Sequence, residues 1–110
     1  NRKEDEEAGG EVNSDMVMVY IIYDRAIDEE VDDVLAGSEI NYYTKWKDVV
    51  GFGRHDPHLG DHVWPGLNNV AMAVIDDEKK EKLLDGVRAL QENFPSVGLR
   101  AFAVPVIDMC

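Results

Sequence analysis

Two stretches of this chain are apolar without the alternation of a half-exposed strand, and no other feature limits its fold so tightly. MVMVYIIY (16–23) and the VAMAVI part of NNVAMAVI (68–75) are strand-length, rich in β-branched side chains, and hydrophobic at odd and even positions alike. A strand with that pattern is covered on both faces. The chain has 110 residues, enough for one domain with a single modest core, so the cover must be economical.

Two segments supply helices. In DEEVDDVLAG (28–37) the periodicity sets Ile27, Val31, Val34 and Leu35 on one stripe, with Asp28 as N-cap and Gly37 as the stop. In DDEKKEKLLDGVRALQENF (76–94), Leu83, Leu84, Val87, Leu90 and Phe94 form the stripe. Acidic residues open that helix and Pro95 ends it. INYYTKWKDVVGFG (40–53) reads as a long strand, and LRAFAVPVI (99–107) as a last strand whose Pro105 marks an edge or an end. The order β-α-β-β-α-β predicts an α+β, ferredoxin-like sandwich with an extended loop between strands 2 and 3. Its two helices cover one sheet face. Further copies of the chain are the economical cover for the other, which predicts a homo-oligomer.

The formal net charge is −12. That excludes nucleic acid and anionic membranes as general partners, since both require a cationic surface, and it favours cations. No apolar run approaches the roughly 18 residues of a membrane helix, so no membrane insertion is expected. The one cysteine, Cys110, excludes an internal disulfide framework and fits a cytoplasmic setting. Residues 1–15 are acidic, with Ala8 and Val12 their only apolar side chains besides the Gly9-Gly10 pair. They read as a disordered tail preceding a domain at 16–110. No serine lies in a nucleophile setting, Cys110 has no histidine near it in sequence, and Asp32-Asp33 falls on a solvated helix face. The chain reads as a binding protein, not an enzyme.

All three histidines, His55, His58 and His62, lie in GFGRHDPHLGDHVWPGLNN (51–69), with Asp56 and Asp61 between them. On a helical turn, spacings of three and four set the imidazoles on one face. Imidazole with carboxylate suits a transition metal, Zn, Cu, Ni or Co, so His55, His58, His62 and Asp61 are the candidate ligands. Two other readings stand beside this one. The loop is a polar hairpin with incidental histidines, or it docks a partner through Leu59 and Trp64.

A strand ending in Gly51-Phe52-Gly53-Arg54, then an extended loop, strand, helix and a last strand RAFAVPVI, together resemble the P-II signal-transduction superfamily over residues 16–108. The resemblance implies a homotrimer with its sheets packed inside and a T-loop whose base is GFGR. FPSVGLRAFAVPV (94–106) and the His-bearing loop are similar to the P-II-like proteins that accompany heavy-metal efflux pumps. That likeness implies a sensor binding a transition-metal ion and signalling through its T-loop to a partner, such as a membrane transporter or efflux protein. Nucleotide-sensing members hold ATP, ADP or AMP between subunits. By that resemblance Gly51, Gly53 and Arg54 of one chain, with Gly98 and Arg100, would line the phosphates. The chain departs from those members in its shortened turn FPSVGLR (94–100), in lacking a matching T-loop tyrosine, and in lacking the arginines that follow their last strand. Nucleotide sensing is therefore second to metal sensing on sequence grounds. A CutA-like divalent-ion tolerance role, suggested by YYTKW (42–46), is third.

If residues 55–62 bind metal, affinity falls as the imidazoles protonate near pH 6.5. Titration with Zn should show strong binding at about pH 7.5 and much weaker binding at about pH 5.5. The His58→Ala/His62→Ala double variant should weaken it most, and binding equal to the parent protein would return the loop to a polar hairpin.

Overall fold

The computed structural model describes residues 16–51 and 66–110. The acidic segment 1–15 lies outside the described residues, as do Gly53, Arg54, His55, His58, Leu59, Asp61, His62 and Trp64.

Strand β1 (Met16–Asp24) leads through a 3-10 turn at Arg25–Ile27 into helix α1 (Asp28–Gly37). Strands β2 (Thr44–Gly51) and β3 (Gly66–Asp76) follow, then helix α2 (Asp77–Asn93) and strand β4 (Leu99–Pro105). The four strands form one antiparallel sheet in the order β2-β3-β1-β4. The two non-alternating runs thus take the central places, where a strand has neighbours on both edges. The helices cross one face, giving the α+β arrangement expected from the element order.

On the covered face, Val19, Ile21 and Tyr23 of β1 and Ala71, Ala73 and Ile75 of β3 meet Val31 and Leu35 of α1 and Leu83, Val87 and Leu90 of α2. Each large aliphatic side chain taken fully from water here contributes roughly 1.5–3 kcal/mol. The alanines at 71 and 73 leave room for the helices. Gly86 serves the same closeness in α2. A methyl group there would stand 2.6 Å from Val34 Cγ1 on α1, well inside van der Waals contact.

The even-numbered residues of β1 and β3 face the other way. Register sets Val104, Met18 and Val74 in one row, Phe102, Tyr20 and Met72 in the next, and Arg100, Ile22, Val70 and Trp46 in a third. No element of the chain crosses this face among the described residues. Phe102 is 51% exposed and Trp46 45%, a wide apolar surface for a protein of this size.

Three local expectations need correction. Asp28 does not cap α1. The turn before the helix is capped instead by Asp24, whose carboxylate accepts from the Ala26 N–H at 2.8 Å, and Asp28 is turned to other partners. The helix does not stop on a left-handed Gly37 either. Glu39 takes the positive φ of 62° two residues later, after Ser38 has capped the helix end. Residues 40–43 are not strand. Ile40 donates its N–H to the Leu35 carbonyl at 3.0 Å and is buried against the core, so the chain is pinned to the helix end before β2 can begin.

Gly86→Ala should lower stability by about 1 kcal/mol net, because overpacking against Val34 outweighs the better helix propensity of alanine. Urea unfolding would show it. Val34→Ala in the same chain should relieve the loss, since the cost lies in that one contact.

Candidate functional site

The end of the sheet where the 52–65 segment leaves and returns gathers the C-termini of β1 and β2 and the N-termini of β3 and β4. β2 reaches this end through an irregularity. Trp46 pairs with Val70 and Val49 with Asn68, so Lys47 and Asp48 together oppose the single residue Asn69. This is a β-bulge. Asp48 carries it in a left-handed conformation, with φ of 58°, which aspartate tolerates better than most side chains.

A buried polar hub holds the bulge in place. The Asn69 side chain is 3% exposed and uses both ends of its amide. Its Oδ1 accepts from the Asp48 backbone N–H at 3.0 Å, and its Nδ2 donates to Asp28 Oδ1 at 2.9 Å. The same Asp28 oxygen accepts from the Tyr23 hydroxyl at 2.6 Å and from Lys45 Nζ at 3.0 Å. Lys45 also donates to Asp32 Oδ1 at 2.6 Å, and Arg25 reaches Asp48 Oδ1 at 3.0 Å. Every strand but β4 is tied in this way to the first turns of α1.

The hub sets its own protonation. Burial by itself would raise the Asp28 pKa, but bonds from Tyr23, Lys45 and Asn69 outweigh it and hold the carboxyl down at about 2. Burial and the bond to Asp28 push the Tyr23 hydroxyl up. For Lys45 burial works downward, and the bonds to Asp32 and Asp28 overcome it, raising the ammonium. Asp28 is thereby held ionised and Lys45 protonated at neutral pH, so their bonds act as a tether.

Of the residues singled out from sequence, Gly51, Gly98 and Arg100 are described. Gly51 pairs with Gly66 at the last rung of β2 and β3. The Asn68 amide lies over its α-carbon so closely that any side chain at 51 would collide with it. Gly98 accepts from the Asp24 N–H at 2.9 Å, which joins the end of β1 to the turn before β4. Arg100 stands on the uncovered face in the row of Ile22, and no carboxylate pairs with it among the described residues. Gly51 and Arg100 belong to β2 and β4, the two opposite edges of the sheet. Three strand spacings separate those edges, roughly 14 Å between backbones. Asn68, Asn69 and the Asp28 hub went unread in the sequence. Two asparagines opening a strand otherwise apolar on both faces were the available signal, because a buried amide there needs partners.

No group of three or more His, Cys, Asp or Glu side chains suited to a metal occurs among the described residues. The proposed ligands His55, His58, Asp61 and His62 lie outside them. Cys110 is exposed. No helix among the described residues is long and apolar enough to cross a membrane.

No protein-family model matches the sequence, and no curated protein matches it significantly. Solved structures do match the fold. CPII of Thiomonas intermedia K12, a nitrogen regulatory PII-like protein bound to ADP, AMP and bicarbonate, superposes with a TM-score of 0.65 at 21% identity. The match covers 83% of this chain and 89% of that one. The same protein without ligand gives 0.56 at 19% identity, covering 83% and 92%. A protein of Thermus thermophilus assigned to PII-like signaling gives 0.59 at 20% identity, covering 83% and 86%. The chain has the PII-like, ferredoxin-like fold.

Acid should expose the hub. A carboxyl held at about 2 in the folded chain and near 3.8 when free contributes stability above pH 4 that is lost as pH falls through 4 toward 2. The contribution at neutral pH is about 2 kcal/mol. Asp28→Asn should be less stable at pH 7 by about that amount and should show a flatter stability profile between pH 4 and 2, read by chemical denaturation.

Proposed function

We propose that this chain is a PII-like regulatory protein that works as a homotrimer and binds an adenine nucleotide in the clefts between subunits. One observation carries the reading: Gly51 and Arg100 lie on opposite edges of a sheet whose apolar face has no cover among the described residues. Within one subunit those residues stand three strand spacings apart. Copies packed face to face through Met18, Tyr20, Phe102 and Met72 would bring the β2 edge of one chain beside the β4 edge of the next. Gly51, with Gly53 and Arg54 beyond it, would then offer backbone N–H groups and a cation. Gly98 and Arg100 would offer the second wall. An arginine on an otherwise apolar face needs an anion once water is excluded, and a phosphate group supplies one in bidentate geometry.

This reverses the order that the histidines alone suggest. A similar CPII structure was solved with ADP and AMP, and Gly51, Gly98 and Arg100 lie toward the sheet end where the 52–65 segment leaves and returns. Metal binding by His55, His58, Asp61 and His62 is the second reading, favoured by the concentration of those ligand types within eight residues. The two readings are compatible, since the loop leaves the sheet at Gly51. In both, the loop carries the signal to a partner protein. A CutA-like ion-tolerance role would keep the trimer and take divalent ions without nucleotide.

Calorimetry with ADP and ATP, alongside sedimentation, separates these readings. The expected result is a trimer that binds one of the two nucleotides, with affinity falling at least about tenfold in Arg100→Ala. A stable monomer at micromolar concentration would overturn the assembly. A trimer that binds no nucleotide but takes Zn or Cu would leave the metal or ion-tolerance readings.

A further inference from the structure

We propose that Asn69 is a positioning residue that aims the glycine end of β2, and that Asp28 acts through it. The inference rests on the reading of Gly51 as one rim of the nucleotide cleft, and it concerns residues that touch no ligand themselves.

The bulge has a cost. A left-handed aspartate is tolerated but is not the preferred state of a chain in a strand, where glycine would take this conformation freely. At Asp48 something must hold it. Among the described residues the Asp48 side chain reaches only Arg25, and both partners of that pair are more than half exposed, so the pair adds little. The Asp48 N–H is different. It points at Asn69 Oδ1, and that amide is buried at 3% exposure with its other end fixed on Asp28. Asn69 cannot swing away without leaving both ends of its own buried amide unpaired, Nδ2 from Asp28 and Oδ1 from the Asp48 N–H.

The consequence reaches β2 beyond the bulge. Two residues opposite one reverse the facing of everything that follows, so Val49 pairs with Asn68 and Gly51 with Gly66. That register is what places Gly51 under the Asn68 amide. Without the Asn69 bond, the extra residue has no reason to stay at position 48. The rung at Gly51 then loses its place, and the glycine rim moves relative to the neighbouring subunit's Arg100.

Three measurements on the full chain test this: the trimer by sedimentation, backbone amide exchange at Asp48 and Val49, and ADP affinity by calorimetry. Asn69→Ala should remain trimeric, exchange the Asp48 amide about tenfold faster, and bind ADP about tenfold more weakly. Asp48→Gly placed in the Asn69→Ala chain should recover a large part of that affinity, because glycine holds positive φ without help. A residue that mattered only for general stability would show no such rescue. ADP affinity unchanged in Asn69→Ala, or lowered with no recovery in the double variant, would overturn the assignment. Should the parent protein bind no nucleotide, the nucleotide reading fails on its own. The Asn69 role is then decided by amide exchange alone: faster exchange at Asp48 and Val49, restored at Val49 by glycine at 48, supports it, and unchanged exchange overturns it.

Discussion

The apolar sheet face that no element covers among the described residues is the constraint from which most of this molecule follows. β1 and β3 sit at its centre with hydrophobic side chains on both sides, and two helices of a short chain can cover only one of them. Packing against α1 and α2 accounts for Val19, Ile21, Tyr23, Ala71, Ala73 and Ile75. It leaves Met18, Tyr20, Ile22, Val70, Met72 and Phe102 arranged as a second, equally regular layer. A surface of that kind is costly in water and is met in proteins that complete their core by association. In the proposed trimer the cleft would follow from that association, which would bring the edges that carry Gly51 and Arg100 together.

Against that apolar frame the Asp28 hub is an exception with a purpose. A core so dependent on non-directional burial specifies which faces are hidden, but it does not specify register at the edge strand β2, most of which is exposed. Directional bonds from a buried asparagine do. The hub joins the end of β1, the start of α1, the middle of β2 and the start of β3, so the edge strand is located relative to the helix layer as well as to β3. Each of its members has at least one partner in the network, and connected networks of this kind specify a structure.

How much of this was legible can be judged from particular residues. Helix α2 was readable nearly to its ends, since its stripe, its acidic first turn and Pro95 agree, although the cap is Asp76 and the last helical residue is Asn93. The central strands were readable because a strand hydrophobic at every position must be hidden on both faces. Residues 40–43 misled. Ile40, Tyr42 and Tyr43 have strand propensity, but Ile40 is claimed by the core and tied to Leu35, while Tyr42 is left 90% exposed. Propensity lost to a tertiary contact there. Asp28 misled in the same manner: its place before a helical stripe suits a cap, yet donors from Tyr23 and from two distant strands, Lys45 and Asn69, outweigh the adjacent backbone.

Local and periodic information was therefore enough to determine the order of elements, the α+β class and the face each helix buries. Burial is a property of composition along a short window, and a sequence carries it openly. Only the tertiary structure decided that Asn69 meets Asp48 and Asp28, that β2 takes its extra residue at the bulge, and that Gly51 and Arg100 fall on opposite edges. Those facts depend on which strands become neighbours and in what register. That register is set by hydrogen bonds between residues tens of positions apart, and no local pattern encodes them.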